Sequence, residues 1–217
     1  PYQRLWSLEP LLESARAAIA AETDRIEDVN TALDTAFNNG DADALLEPAR
    51  RLIELDPDDP YGYTMLGVSL YYGEENFREA ERVLNLAMEI DPEYAQAYRF
   101  LGDINRREGN NREARSLYET ALALVDTDDD RAFFHNRIGL TYGQDAATLV
   151  EATEAYTRAI ELMPEFPLYR RNRGYIYYNR GEQFYPEAIG DFERYVELAG
   201  ENADPDTVAL LNTLRGD

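Results

Sequence analysis

A segment of this chain recurs along its length at a nearly constant spacing. The stretch DPDDPYGYTMLG, residues 56–67, is echoed by DPEYAQAYRFLGD, residues 91–103. The apolar-glycine pair that closes each echo returns at Ile138-Gly139 and, with arginine in the apolar place, at Arg173-Gly174. Successive pairs are 35, 37 and 35 residues apart. A fixed period of this length predicts stacked supersecondary units.

Each repeat has the pattern of two helices joined by a turn. Tyr63, Leu66 and Leu70 fall on one face of a helix, and Ala80 and Leu84 do so in the second half of the same repeat. Asp-Pro pairs stop the second helix, because proline cannot extend a helix and restrains the residue before it. The glycine and alanine positions are expected where two helices approach closely, since a larger side chain there would overpack by about 1–3 kcal/mol.

This pattern resembles the tetratricopeptide repeat, whose first helix carries an aromatic residue and Leu-Gly and whose second carries alanines around an aromatic residue, before a proline. The resemblance implies an all-α, right-handed solenoid of stacked helix-turn-helix hairpins. Unit one is degenerate, with Ala32-Leu33 in place of Leu-Gly. Unit five has Arg173 where leucine is expected and Tyr195 near an expected alanine, and we expect these two residues to widen the stack near its end. Five units can be drawn, at residues 26–59, 60–94, 95–131, 132–166 and 167–201.

The two ends of the chain differ from the repeats. Residues 202–217 are predicted to form a C-terminal capping helix, with Asp204 as its N-cap. Residues 1–25 are predicted to form an arm and a helix. This N-terminal segment either packs over unit one or docks onto a partner or a second copy through Leu5 and Trp6, since tryptophan is enriched in interface hot spots.

Charge is the strongest compositional signal. The chain has 43 acidic and 21 basic residues, every base is arginine, and the net charge is −22. This excess argues against general nucleic-acid binding, which requires cations that neutralise phosphates. It favours a salt-loving source, because high salt screens the self-repulsion of such a chain; the alternative is an acidic surface from an arginine-biased genome. No apolar run approaches the ~18 residues of a membrane span.

The sequence offers no catalytic or metal-binding constellation. There are no cysteines, and the single histidine, His135, stands where the repeat places a core aromatic residue. The acidic run at residues 126–130 lacks the spacing and glycine of a calcium loop, and no glycine-rich phosphate loop is present. We therefore predict that the chain is not an enzyme and needs no cofactor or metal.

The resemblance also indicates where a partner would bind, because in this family fixed positions on the first helices face a concave groove. On this chain those positions are rich in arginine and tyrosine, which fits an extended, acidic ligand held by Arg–carboxylate forks and aromatic contacts. The alternative is that some of these arginines pair with neighbouring acids and hold the stack together. The residues assigned to partner binding are Tyr61, Tyr71, Tyr72, Arg99, Arg106, Arg107, Asn136, Arg171, Tyr175 and Tyr178.

The leading hypothesis is a protein-interaction scaffold that binds an acidic peptide or helix of a protein partner, with no nucleic acid and no direct membrane span. The alternative is a structural subunit of a larger, envelope-associated or self-assembling complex, docked through its N-terminal arm. The compartment stays open: the cytoplasm is slightly favoured, with a periplasmic or envelope location if the N-terminus is processed.

Overall fold

The computed structural model describes residues 9–142 and 146–216, and the regular structure in this part of the chain is helical throughout. Short 3-10 turns lead into several of the helices, as at Asp43–Leu45 before α2 and Glu182–Phe184 before α10. The all-α prediction is confirmed for the described residues. The α-helices are α1 (Glu9–Asn38), α2 (Leu46–Leu55), α3 (Pro60–Tyr72), α4 (Phe77–Ile90), α5 (Ala95–Arg107), α6 (Asn111–Leu124), α7 (Asp128–Tyr142), α8 (Leu149–Leu162), α9 (Pro167–Asn179), α10 (Tyr185–Ala199) and α11 (Pro205–Arg215).

Aspartate and proline fix the starts of α3 and α11. Each helix has proline in its first turn, where the missing N–H has no intrahelical partner to lose. The Asp59 carboxylate accepts a hydrogen bond from the Tyr61 backbone N–H at 2.8 Å and caps α3. Asp204 caps α11 in the same way by accepting from the Thr207 N–H at 3.0 Å. Gly216 then ends α11 in the left-handed conformation that glycine adopts easily, with φ of 83°.

Helix α1 runs without interruption for 30 residues, so the N-terminal helix and the first helix of unit one are a single element. No glycine or further proline follows Pro10 until Gly40, and the segment is rich in alanine, which explains the continuity. Residues 13–21 are all exposed. Along the apolar stripe of α1, the exposed fraction rises from 0% at Leu33 to 66% at Ile19. The first half of α1 therefore lacks a cover within the described residues.

The chain divides into two compact halves, Pro1–Phe100 and Leu101–Asp217, with the boundary inside α5. In the N-terminal half, α1 packs on α2, α2 on α3 and α3 on α4. A Cβ atom on Gly67 of α3 would lie 2.6 Å from the Leu84 Cγ of α4. This confirms that the glycine stands where two helices approach closely.

In the C-terminal half, each helix from α6 to α11 packs on the next along the chain. The same close approach recurs in each hairpin, with a large aromatic ring against the glycine. A Cβ atom on the glycine would lie within 2.6–2.8 Å of the ring in the pairs Gly102–Tyr118, Gly139–Tyr156 and Gly174–Phe192. These aromatic side chains are at most 2% exposed, so the repeat is built around one glycine and one buried ring.

Candidate functional site

An open pocket of about 340 Å³ lies between α7 and α9 in the C-terminal half. On α7 its residues are spaced at i, i+3, i+4 and i+7, so they share one helix face. Phe166 and Leu168 line it while 42% and 37% exposed, and apolar surface is therefore presented to solvent. This α7/α9 pocket is lined by Phe133, Asn136, Arg137, Leu140, Phe166, Leu168, Tyr169 and Asn172.

A pair of asparagines links the two helices at the pocket. Asn172 Nδ2 donates to Asn136 Oδ1 at 2.8 Å, and Asn136 is only 5% exposed. The two residues are 36 positions apart, close to one repeat period. Because this bond uses one amide N–H and one amide oxygen, the remaining groups of the pair include the Asn136 Nδ2 donor and the Asn172 Oδ1 acceptor. A peptide group has one carbonyl acceptor and one N–H donor, so it is complementary to this donor and this acceptor.

Buried Asp103 holds the α7 side of this pocket. Its Oδ1 accepts from the Tyr118 hydroxyl at 2.6 Å and lies 3.3 Å from Arg137 Nη1. Burial, followed by the charge and hydrogen bond of Asp103, raises the pKa of Tyr118, so the phenol stays neutral and donates. The Arg137 guanidinium also lies 4.8 Å from the centre of the Phe133 ring. Arg137 is thus fixed by an ion pair and an aromatic face.

A second buried aspartate, Asp191, binds Arg173 of α9. Arg173 Nε and Nη2 donate to the two Asp191 oxygens at 2.7 and 2.8 Å, and Arg173 Nη1 donates to Thr157 Oγ1 at 2.9 Å. The expected widening of the stack near its end stays a prediction, but the contact inside this hairpin is not opened by the arginine: a Cβ atom on Gly174 would be as close to the Phe192 ring as one on Gly102 is to the Tyr118 ring. The reason is that the guanidinium is neutralised and hydrogen-bonded in place.

Arg171 has a different environment from Arg173. Its guanidinium carbon lies 6.0 Å from the centre of the Tyr195 ring. Its Nε is buried and has no hydrogen-bond partner among the described residues. Hydrogen bonds from Thr207 and, to a smaller extent, the charge of Arg171 lower the pKa of Asp204. Arg171 therefore faces the start of α11 with donor capacity that the described side chains do not fill.

Tyr175 and Tyr178, both assigned to partner binding from sequence, connect α9 to the elements that follow it. The Tyr175 hydroxyl shares a hydrogen bond of 2.9 Å with Thr207 Oγ1 on α11. The Tyr178 ring stacks on Tyr185 with centroids 5.5 Å apart. Both tyrosines are half-buried, so part of each ring remains open to solvent.

Three sequence-assigned tyrosines lie on α3 in the N-terminal half. The Tyr61 hydroxyl donates to Asp34 Oδ1 at 2.5 Å, and burial followed by this bond raises the Tyr61 pKa. Tyr71 is 5% exposed and its ring packs 5.1 Å from Phe77, so it belongs to the α3–α4 core. Tyr72 is 43% exposed and contacts Tyr71 edge-on. Of the three, Tyr72 presents the most surface.

The arginines assigned on α5 fall on both sides of the division between the halves. In the N-terminal half, Arg99 Nη1 donates to Gln96 Oε1 at 3.1 Å, and its guanidinium lies 4.8 Å from the Phe100 ring centre. In the C-terminal half, Arg107 is exposed and Arg106 is half-buried. The Arg106 Nε is buried and has no hydrogen-bond partner in the described part of the chain.

No protein-family model matches the chain, and no curated protein sequence is significantly similar to it. Several solved structures do resemble it. The pilF protein of Pseudomonas aeruginosa has a TM-score of 0.76 at 17% identity, over 91% of this chain and 87% of that one. PilW, a widely conserved type IV pilus biogenesis factor, has 0.73 at 15% identity, over 88% and 86%. YrrB, a TPR protein with an unusual peptide-binding site, has 0.58 at 20% identity, over 79% and 94%.

The chain has the tetratricopeptide-repeat fold. Within this fold, Asn136 and Arg171 lie on first helices of consecutive hairpins, as the sequence analysis placed them. The repeat pattern missed Arg137 and Asn172, which stand one position later in their helices and line the α7/α9 pocket. The signal that could have found Asn172 is the return of asparagine one period after Asn136.

Across residues 9–142 and 146–216, histidine and carboxylate side chains form no cluster able to hold a metal ion. Burial, followed by the charges of Arg131 and Arg158, lowers the pKa of His135, which is half-buried in α7. None of the described helices is long and apolar enough to cross a lipid bilayer. Leu5 and Trp6, assigned to N-terminal docking, lie outside the described residues.

Proposed function

We propose that the chain is a protein-interaction scaffold that binds an extended, acidic segment of a partner on the first helices of its C-terminal half, at the α7/α9 pocket. The observation that carries this proposal is an apolar recess with an exposed rim next to a partly buried amide pair. A large apolar side chain of the ligand enters beside Leu168 and Phe166, and a ligand peptide group bonds to Asn136 and Asn172. YrrB, which shares the fold, is described as having a peptide-binding site, and this supports the class of function.

The charge around the pocket supports an acidic ligand. Arg137 lines the pocket beside buried Asp103, and Arg106 and Arg171 lie on the other first helices of this half, α5 and α9. These arginines occur in a chain whose net charge is −22. Opposite charges speed encounter and select partners more than they add affinity. The apolar pocket would then supply affinity and the arginines would supply selectivity.

The residues that the sequence assigned to partner binding in the N-terminal half have a weaker role in this proposal. Tyr61 is engaged with Asp34 and Tyr71 is buried, so neither offers a free hydroxyl or ring to a ligand. Tyr72 and Arg99 stay predictions for a second contact region. The proposal therefore assigns the anchor of the ligand to the C-terminal half.

Binding is tested with synthetic peptides that carry one leucine or phenylalanine in a flexible host, flanked by acidic residues, and are labelled for fluorescence anisotropy. The decisive variant is Leu168→Asp, because this side chain is on the rim and 37% exposed, so the fold tolerates the change. The matched control is Val150→Asp, which alters an apolar side chain that is 51% exposed on α8 and outside the pocket.

We expect the acidic peptides to bind the intact chain and Leu168→Asp to weaken binding by about tenfold or more, since burying a leucine contributes about 1.5–3 kcal/mol. The control should bind within about twofold of the intact chain. Equal affinities for both variants, or binding that does not require the apolar residue, would remove the α7/α9 pocket from consideration.

The first half of α1 favours a second candidate function, that of a subunit docked into a larger or self-assembling complex. Residues 13–21 are all exposed, and Ile19 is 66% exposed on a stripe that is buried further along the helix. Analytical ultracentrifugation of the intact chain and an Ile19→Asp variant tests it. If the intact chain assembles and the variant does not, self-association through α1 is supported. If the intact chain is a monomer at all concentrations, self-association is excluded and only the peptide-binding proposal remains.

A further inference from the structure

We infer that Arg171 forms a carboxylate-binding subsite beside the α7/α9 pocket, and that it selects ligands with an acidic residue about two positions from their apolar anchor. The inference rests on the proposed function, because the anchor in the α7/α9 pocket is what brings the ligand carboxylate to Arg171. It adds the position of the acidic residue and the side chain that recognises it.

The two buried aspartates separate arginines that hold the fold from those that remain for a ligand. Arg137 lies 3.3 Å from Asp103, and Arg173 donates two hydrogen bonds to Asp191. Among the described residues, Arg171 has no carboxylate within 4.0 Å. Because Arg137 and Arg173 are already neutralised, a ligand carboxylate gains less from them than from Arg171.

The surroundings of Arg171 suit a carboxylate. Its guanidinium is half-buried beside the Tyr195 ring, and its buried Nε has no acceptor in residues 9–142 and 146–216. The fork of N–H groups on arginine matches the two oxygens of a carboxylate.

The nearby carboxylate of Asp204 does not fill this role. One of its oxygens accepts from the Thr207 backbone N–H at 3.0 Å and from the Thr207 hydroxyl at 2.6 Å, which fixes it as the cap of α11. Arg171 is near enough to lower the Asp204 pKa, yet the two groups form no ion pair. The subsite therefore has Arg171 of α9 on one side and the capped start of α11 on the other.

The position of Arg171 on α9 sets the spacing in the ligand. Leu168 and Arg171 are three residues apart in one helix, which places their Cβ atoms about 5–6 Å apart. In an extended peptide, side chains two residues apart point to the same side and are separated by about 6.6 Å. An anchor at Leu168 and a carboxylate at Arg171 therefore fit alternate residues of one strand-like segment.

The probes have the same flexible host and leucine or phenylalanine anchor as the peptides above, but their only varied side chain is one aspartate, asparagine or lysine two positions before or after the anchor, and the other flanking residues are uncharged. They are titrated into the intact chain, Arg171→Glu, Arg171→Gln and, as control, Arg112→Glu, which reverses an exposed arginine on α6. We expect the intact chain to prefer the aspartate peptide over the lysine peptide by about tenfold or more. Arg171→Glu should invert this preference, Arg171→Gln should abolish it, and the control should keep it.

The outcomes separate the inference from the function on which it rests. If peptides bind and Leu168→Asp removes binding, but the preference is unchanged in Arg171→Glu and Arg171→Gln, the subsite is wrong and the pocket stands. If no peptide binds the intact chain, the proposed function fails and the subsite fails with it. If Arg171→Glu makes the chain prefer the lysine peptide over the aspartate peptide, Arg171 contacts the ligand, because a purely structural role would not invert the preference.

Discussion

Arg173 and Asp191 form a bidentate ion pair at the position where a repeat of this fold carries leucine. The two hydrogen bonds are 2.7 and 2.8 Å long, and the side chains are 16% and 5% exposed. Arg170 Nη1 lies 3.7 Å from Asp191 Oδ1, and Thr157 Oγ1 accepts a further hydrogen bond from Arg173. Arg173 of α9 is thus held by one side chain of α10 and one of α8.

Removing one member of this buried pair should be costly. We expect Asp191→Ala to lower the free energy of unfolding by about 3–5 kcal/mol, because Arg173 is left buried without its counter-charge. Replacing both residues by leucine should return stability to near that of the intact chain, since apolar replacements of buried pairs are often neutral or stabilising. Urea unfolding followed by far-UV circular dichroism measures both changes.

Glu79→Ala is the control, because it breaks an exposed pair with Arg82 whose side chains are 41% and 60% exposed. It should leave the urea midpoint unchanged, as expected of surface pairs. An Asp191→Ala variant as stable as this control, or a double variant as unstable as the single one, would contradict the interpretation.

The close approach of glycine to a buried ring predicts opposite effects for two glycine substitutions. A Cβ atom at Gly139 would lie 2.8 Å from the Tyr156 ring, so Gly139→Ala should destabilise the chain by about 1–3 kcal/mol. Gly190 lies in α10 with no atom within 4 Å of an added Cβ, so Gly190→Ala should stabilise by about 0.5–1 kcal/mol. The thermal unfolding midpoints of the two variants and the intact chain test this prediction. A shift of the same sign in both variants would refute the packing argument.

The raised pKa of Tyr94 predicts that the chain loses stability in alkaline solution. Burial, followed by the charges of Asp59, Asp91 and Asp34, raises the pKa of Tyr94 from 10.0 to about 12. Since the folded state holds this proton more tightly than the unfolded state, the stabilisation is constant below pH 10 and is lost as the pH rises toward 12. Tyr94→Phe should reduce the fall in the urea midpoint over this interval. A tyrosinate absorbance titration that does not change in the variant above pH 10 would contradict the shift.

The net charge of −22 predicts that salt stabilises the chain. High salt shortens the Debye length to about 3 Å at 1 M and reduces self-repulsion, so the thermal midpoint should be higher in about 3 M KCl than in about 0.1 M. A variant with Glu81, Glu89 and Glu119, all exposed, changed to glutamine should show a smaller difference. An unchanged or lower midpoint of the intact chain at high salt would exclude this effect.

The hairpin repeat could be predicted because its determinants act locally or recur in phase. Proline and aspartate set the helix starts at α3 and α11, and a glycine marks the close contact in the four hairpins from α3 to α10. The bonds of Arg173 could not be predicted, because its partner, Asp191, is 18 residues away on another helix. No local pattern states that an arginine and an aspartate will meet.

The residues that line the α7/α9 pocket could be predicted only in part. Asn136 and Arg171 were assigned correctly to first helices, but Tyr71 proved to be 5% exposed because its ring packs on Phe77 after the turn. Which side chains line a pocket depends on the rotation of each helix against its neighbour. A shift of one position, as between Asn136 and Arg137, therefore changes a residue's role.

Repeat proteins are often treated as strings of interchangeable modules, because each unit contacts its neighbours in the same way. The bonds of Arg173 break that equivalence here. Its guanidinium binds Asp191 within its own hairpin and Thr157 in the hairpin before. A unit transplanted from elsewhere in the array would leave one of these groups without its hydrogen-bond partner. Helices α8, α9 and α10 therefore have to be inherited, shuffled or redesigned as one block.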